Sequence, residues 1–201
     1  MHVMARWEPG AGDRLRQAAL GLFTSRGFEQ TTAAEIARAA GLTQRTFFRH
    51  FADKRDVLFQ GQEEFVQAFT EGLDAAPPGA SPLELVQAAL NSAAALFPDD
   101  RRAFSRMRQS VIDANPPLQE RERHKLAGLA DEVAVALRHR GVNEPAATLA
   151  AESGSTVFRL AFNQWIREAE TRSLPAIAAE LLSQLGTLSS PTEPNSAGVS
   201  G

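Results

Sequence analysis

Residues 31–58 read TTAAEIARAAGLTQRTFFRHFADKRDVL, and this stretch decides the fold. Thr32-Ala33-Ala34-Glu35 is a capping box, in which the threonine hydroxyl caps an orphan amide while Glu35 reaches back. It predicts a short helix over 33–40 with Ile36, Ala37 and Ala40 facing inward. Gly41 breaks that helix, and Thr43 can cap another over 43–50 that buries Phe47 and Phe51. Two short helices joined by a glycine turn make a helix-turn-helix. Ala37 and Ala40 are small enough for the two helices to approach closely, and Leu42 with Phe47 plugs the crossing. In that geometry the second helix enters the DNA major groove and leaves Thr43, Gln44, Arg45, Phe48, Arg49 and His50 outward.

The outward residues suit a duplex. Gln44 can pair bidentately with an adenine edge and Arg45 with a guanine edge, while Phe48 offers an apolar face to a thymine methyl. Thr32 and Thr43 stand at helix N-termini, where hydroxyl and amides together bind phosphate oxygens. Thr46 lies in the same helix, and Arg49, His50 and Lys54 can add phosphate contacts. A helix–glycine–helix step also occurs in ordinary bundles, so the motif alone leaves a purely structural reading open.

The full string goes further. Thr32, Glu35-Ile36-Ala37, Ala40-Gly41-Leu42-Thr43, Thr46-Phe47-Phe48, His50-Phe51 and Lys54 together resemble the DNA-binding domain of TetR-family repressors. Arg14-Leu15, Ala18, Leu22-Phe23 and Gly27-Phe28 resemble that family's first helix, so the likeness covers about residues 12–60. It implies a two-domain, all-α homodimeric repressor that releases a palindromic operator when a small apolar or amphipathic ligand binds. It also implies that Thr32, Thr43, His50 and Lys54 contact phosphates and that Gln44, Arg45 and Phe48 face bases. Many family members carry tyrosine at the position of Phe48, so a phenolic hydroxyl contact is missing here.

Outward from this stretch every segment reads as helix, with no alternation of strand length. Leu15, Ala18, Ala19, Leu22 and Phe23 give a helix over 12–27 that ends at Gly27. Asp53 caps a helix over 54–74. Ser81-Pro82-Leu83-Glu84 is a second capping box and starts one that runs to Phe97. Further helices follow over 99–113, over 118–140 after a break at Asn115-Pro116-Pro117, over 144–170 capped by Asn143, and over 173–187. The expectation is an all-α chain of about nine helices. Residues 1–55 form the helix-turn-helix domain and 56–188 a helical ligand-binding and dimerisation domain, with a disordered tail over 189–201.

The second domain offers two candidate surfaces. Phe65, Phe69, Phe104, Met107, Phe158, Phe162 and Trp165 could line an apolar cavity, with Gln109 and Asn163 as polar handles; an ordinary core explains the same residues. Val157, Ala161, Ile177, Leu181 and Leu185 lie on apolar stripes of the last two helices, which can pack against the same pair from a second subunit or serve as inner helices of a monomer. The arginines at 101, 102, 106 and 108 read as a solvated face or as partners of Asp99, Asp100 and Asp113.

Composition bounds the alternatives. The 201 residues carry a net charge of −3 and no cysteine, which removes disulfides, thiolate metal sites and cysteine nucleophiles. That average hides two halves, since residues 1–60 hold nine basic against six acidic residues and 61–201 hold twelve against eighteen. Only Lys54 and Lys125 of the basic residues are lysines. No apolar run approaches the ~20 residues of a membrane span, and Met1–Gly10 lacks the pattern of a signal peptide. No metal site or cofactor is expected. The partners expected are double-stranded DNA, a second copy and an unknown small effector, in the cytoplasm and away from membranes. An all-α enzyme is the competing class, opposed by four scattered histidines and by the lack of a nucleophile elbow or phosphate-cradling loop. A dimeric DNA-binding scaffold or activator without a ligand is a third reading.

Overall fold

The computed structural model describes residues 10–188, so the tail expected over 189–201 lies outside the described residues. Helix α1 (Ala11–Arg26) ends at Gly27, as the periodicity predicts. Helix α2 (Ala33–Ala39) opens on a complete capping box: the Glu35 amide donates to the Thr32 hydroxyl, and the Thr32 amide donates to the Glu35 carboxylate at 2.9 Å. It closes in a Schellman motif. Gly41, at φ 68°, donates to the Arg38 carbonyl at 3.0 Å, and the Leu42 amide donates to that of Ala37 at 2.8 Å. Helix α3 (Gln44–His50) then starts with the Thr46 amide on the Thr43 hydroxyl at 3.1 Å.

The long helix expected over 54–74 is two helices. Asp53 does act as a cap, accepting from the Arg55 and Asp56 amides at 2.7 and 3.0 Å. What it opens is the single turn α4 (Asp56–Phe59). Gly61 then takes φ 88°, which a helix cannot continue through, and α5 (Gln62–Ala75) begins afresh. Downstream, α6 (Pro82–Ala94) has the expected Ser81–Glu84 capping box. A 3-10 turn (Asp99–Arg101) leads into α7 (Arg102–Asp113). Pro116 and Pro117 do not precede α8 (Pro116–His139) but form its first turn, where a missing N–H costs nothing. Helix α9 (Ala146–Trp165) is shorter than expected, and Asn143 does not cap it with its side chain; the Glu144 carboxylate instead accepts from the Thr148 amide at 3.3 Å. Helix α10 (Leu174–Leu188) closes the described residues. These contain nine helices longer than one turn, the single turn α4, and no strand.

The chain divides into two compact units. The first holds residues 10–67 and 98–129 and the second residues 68–97 and 130–188. This differs from a boundary at residue 55. The reason is the core beneath the helix-turn-helix: Leu15, Phe23, Ile36 and Phe47 share one apolar cluster with Val57, Leu58 and Phe59 of α4, Val111 and Ile112 of α7, and Leu118 of α8. Phe104, expected in a ligand cavity, packs on this cluster too. Two seven-residue helices cannot bury enough surface by themselves, and α4, α7 and the first turns of α8 supply the rest.

In the second unit α6, α9 and α10 pack pairwise. Helix α9 is buried along Ala147, Ala151, Gly154, Phe158, Ala161 and Trp165. Gly154 admits Val86, whose Cγ1 would stand 2.9 Å from any added Cβ. Gly72 admits α6 more closely still, with the Ala88 carbonyl oxygen 2.6 Å from where a Cβ would sit. Among the described residues no helix is long and apolar enough to cross a membrane.

Candidate nucleic-acid interface

Helix α3 with its C-cap sorts its side chains into a buried pair and an outward set. Phe47 is fully buried and Phe51 nearly so, and the two rings lie 5.4 Å apart. Gln44, Arg45 and Arg49 are exposed, and Phe48 is 51% exposed. Residues four apart share a helix face, so Gln44 with Phe48 and Arg45 with Arg49 make two adjacent outward rows. The Phe48 ring rests edge-on against Phe47 at 5.3 Å, which holds one edge in the core and leaves the rest in solvent. An exposed phenyl beside two guanidinium groups and an amide is costly for a plain surface and fits a groove that offers methyl groups, acceptors and phosphates.

The two threonines are already employed. Thr32 donates its hydroxyl to Glu35 at 2.8 Å, and Thr43 shares a 3.0 Å hydroxyl contact with Thr46. Each therefore presents a capped N-terminus rather than a free hydroxyl. Glu35 is held below the usual carboxylate range by its hydrogen bonds from the Thr32 backbone and side chain, so it stays charged as the cap requires. His50 does not join the outward rows. It is half-buried, with Nε2 buried and without a hydrogen-bond partner, and Nδ1 lies 3.7 Å from where a Cβ on Gly12 would sit.

Lys54 departs most from the expected phosphate contact. Its ammonium donates to the carbonyls of Phe28 at 2.8 Å, Thr31 at 3.2 Å and Glu29 at 3.3 Å, and lies 4.3 Å from the centre of the Phe28 ring. All three of its N–H donors have protein partners, so no donor is left over for a phosphate.

The residues expected to line a cavity separate. Phe158, Phe162 and Trp165 come together in the second unit around Phe97, expected only as a helix end, and Phe69 joins them through Phe158 at 5.8 Å. Phe97 stands 5.7 Å from Phe158, 5.4 Å from Phe162 and 6.2 Å from Trp165. Phe65, Phe104 and Met107 belong to the first unit, and Met107 is 42% exposed. Gln109 is buried in the first unit, donating to Asp113 at 2.9 Å and Glu122 at 3.1 Å, and Asn163 is exposed. Neither is a handle on the aromatic cluster. A surface cleft of about 400 Å³ opens elsewhere in the first unit, bordered by Phe23, Phe28, Glu29, Val111 and Asn115.

The expected dimer residues divide likewise. Val157, Ala161 and Ile177 are buried within one chain by α6, α9 and α10 and cannot meet a partner. Leu181 and Leu185 are half-buried, and Leu188, further along α10, is 82% exposed. On α9 the outward apolar residues are Leu149 and Leu160, 64% and 44% exposed. They stand eleven positions, or about three helical turns, apart, which aligns them on one face.

A basic cluster in the first unit was not legible in sequence. Arg108 donates to the Leu58 carbonyl at 2.7 Å and to Glu122 at 2.9 Å, Lys125 donates to the Phe59 carbonyl at 2.6 Å, and Arg121 pairs with Asp56. All three cations lie 5.0–5.3 Å from the Phe59 ring or its centre, closing the carbonyl end of α4. Burial, then the neighbouring Arg121 and Arg108, push the Lys125 ammonium down to about 8. Arg102 pairs with Asp99 as expected, at 2.6 Å. No group of His, Asp or Glu among the described residues could hold a metal ion.

Comparison with known proteins agrees with this head. Residues 15–60 match the model of "Bacterial regulatory proteins, tetR family". The chain is similar to the HTH-type transcriptional regulator TcmR of Streptomyces glaucescens, 39% identical over 80 residues, 40% of this chain and 35% of TcmR. The matched stretch thus spans about a third of that relative. It is also 24% identical over 171 residues to MftR of Mycobacterium tuberculosis, a protein named for regulating mycofactocin biosynthesis, covering 82% of this chain and 84% of MftR. Among solved structures the fold is that of FadR from Bacillus subtilis in complex with stearoyl-CoA, at TM-score 0.61 and 17% identity over 86% of this chain and 96% of that one. Thermus thermophilus FadR in complex with lauroyl-CoA is similar at TM-score 0.54 and 23% identity, covering 93% and 99%. The capped helix-turn-helix of this chain is thus similar to that of the tetR-family regulators, and the chain shares the fold of the solved TetR-family structures.

Proposed function

We propose that the protein is a cytoplasmic, homodimeric repressor that binds a palindromic operator through α3 and is released by a small apolar or amphipathic effector. The observation that carries the reading is the pair of outward rows on α3, Gln44 with Phe48 and Arg45 with Arg49, over a buried Phe47. Gln44 and Arg45 are the base readers, Phe48 takes a thymine methyl, and Arg49 takes a phosphate along with the N-termini at Thr32 and Thr43. Thr46 and His50 are half-buried, and His50 is set apart from these rows. Two copies present two such helices to half-sites about one helical turn apart or a multiple of it. The second copy meets the exposed apolar face of α9 and α10, through Leu149, Leu160, Leu181, Leu185 and Leu188 rather than through the buried Val157, Ala161 and Ile177.

For the effector, acyl-CoA thioesters are the first class to test, since both FadR structures named above hold one and the aromatic cluster of the second unit is apolar. The same cluster also favours a second reading. Its rings lie in contact distance of one another, and Trp165 is fully buried, as expected of a filled core in a ligand-free scaffold or activator. One experiment separates them. Duplexes retained from a random pool should share an inverted repeat, and lauroyl-CoA or stearoyl-CoA should release them. A repeat without release by these or other amphipathic compounds supports the scaffold; a pool without any enriched site defeats DNA reading altogether.

A further inference from the structure

One side chain links the exit of α3 to the entry of α2. The segment between α1 and α2 turns at Phe28–Thr31 and is buried at its two ends, Phe28 at 5% exposed and Thr31 at 1%, with Glu29 and Gln30 exposed between them. The Phe28 carbonyl accepts from the Thr31 amide at 3.3 Å, whereas those of Glu29 and Thr31 lie outside any helix ladder, and a buried carbonyl without a partner is costly. Lys54, four residues beyond the end of α3, brings one ammonium to all three, at 2.8, 3.3 and 3.2 Å. The next residue, Thr32, is the N-cap of α2. Lys54 therefore ties the exit of the reading helix to the entry of its supporting helix, across 23 to 26 positions of sequence.

The choice of lysine agrees with the geometry. The chain uses arginine nineteen times and lysine twice. Both lysines place their ammonium on backbone carbonyls beside a phenyl ring, Lys54 at Phe28 and Lys125 at Phe59. The three carbonyls converge on one nitrogen, which an ammonium with three donors can serve; a guanidinium nitrogen carries at most two, and Arg140 spreads its three carbonyls, those of Asp74, Ala76 and Pro77, over two nitrogens.

We infer that Lys54 is a positioning residue for DNA reading: it sets α3 against the N-terminus of α2 and makes no phosphate contact of its own. This rests on the DNA-binding reading above. The test compares full-length wild type with Lys54→Met, which keeps an apolar stem without the donors, and Lys54→Arg, which keeps the charge. Binding is measured on the selected duplex and on a scrambled one, across a salt series, at a temperature where circular dichroism shows every variant folded.

The expected result for Lys54→Met is about a tenfold loss on the selected duplex, little change on the scrambled one, an unchanged salt slope and a lower unfolding midpoint. Lys54→Arg should fail to restore the ratio between the two duplexes. A phosphate contact would behave otherwise: both duplexes would weaken equally, the slope of log K against log salt would fall by about 0.9, and arginine would rescue. That pattern would overturn the inference. So would unchanged affinity in a folded Lys54→Met, which would leave the residue merely stabilising. If Lys54→Met does not fold, Lys54→Arg decides, and full restoration of the ratio by arginine counts against the clamp. A wild-type chain that selects no duplex defeats the DNA-binding reading itself, whereas a binding wild type with a normal variant defeats only the role of Lys54.

Discussion

Helices α2 and α3 have seven residues each and α9 has twenty, and the two regions are held by different means. The short helices must leave one side free for a partner, so each has only a narrow apolar stripe: Ile36 and Ala37 on one, Phe47 on the other. Beyond the core they share with α4, α7 and α8, their ends are held by the capping box at Thr32, the Schellman turn at Gly41, the Thr43 cap and the Lys54 ammonium. Helix α9 has one such bond at its start, Glu144 on the Thr148 amide, and is held by nine buried residues, several of them alanine or glycine, which let α6 and α10 come close. A surface kept free for reading is supported by polar staples, and a surface that need not be free is supported by volume.

Substitutions can break or sharpen that contrast. The largest effect expected is on assembly: Leu160→Asp, at an exposed position of α9, should turn a dimer into a monomer that no longer binds an inverted repeat, with little loss of helix content. Sedimentation of an intact dimer would move the interface elsewhere. Next comes packing. Trp165→Ala removes a fully buried side chain and should cost about 3–5 kcal/mol in denaturant unfolding, while any change in DNA binding follows the folded fraction.

On the reading face the order reverses. Gln44→Ala or Arg45→Ala should leave the unfolding midpoint in place and cost about 1–3 kcal/mol on the selected duplex, with sequence preference relaxed. Equal loss on a scrambled duplex would remove either residue from the base readers. Thr32→Ala deletes an end staple and should cost about 1 kcal/mol of stability, more than most exposed substitutions and less than Trp165→Ala; a shift as large as that at Trp165 would contradict the division between staples and volume.

The smallest effect expected is in pH. Below about 8 Lys125 is charged in both the folded and the unfolded chain, and the penalty of burying it is fully present. Between about 8 and its ordinary 10.5 the unfolded chain holds a proton that the folded one has released, so stability should rise with pH through that window. Urea midpoints at pH 8 and pH 10 should show the rise in wild type and lose it in Lys125→Met.

Much of the head was legible because its signals are local. A capping box spans four residues, and a glycine that ends a helix acts on the two carbonyls just before it, so α1, α2 and α3 begin and end within a residue or two of expectation. The outward set Gln44, Arg45, Phe48 and Arg49 followed from helical period alone. Gly61 was missed because the apolar spacing of Leu58, Phe65 and Phe69 runs on through it as if the helix were continuous, although the residue type was a signal in itself. Phe97 reads only as the end of a helix before Pro98, and Arg108 as a solvated or aspartate-paired charge. One joins rings over sixty positions away, and the other a carbonyl fifty positions away.

By itself, then, the sequence determined the helical class, the helix-turn-helix, the outward face of α3 and the split of a mild net charge into a basic head and an acidic remainder. Each rests on interactions within about one helical turn, or on composition, and both can be read along a line. The tertiary structure alone decided that α4, α7 and the start of α8 share the head's core, that Val157, Ala161 and Ile177 are inside one chain, and that the Lys54 ammonium is spent on three carbonyls. These depend on which distant groups arrive at the same point, and neither helical period nor side-chain charge specifies that; only the packed chain does.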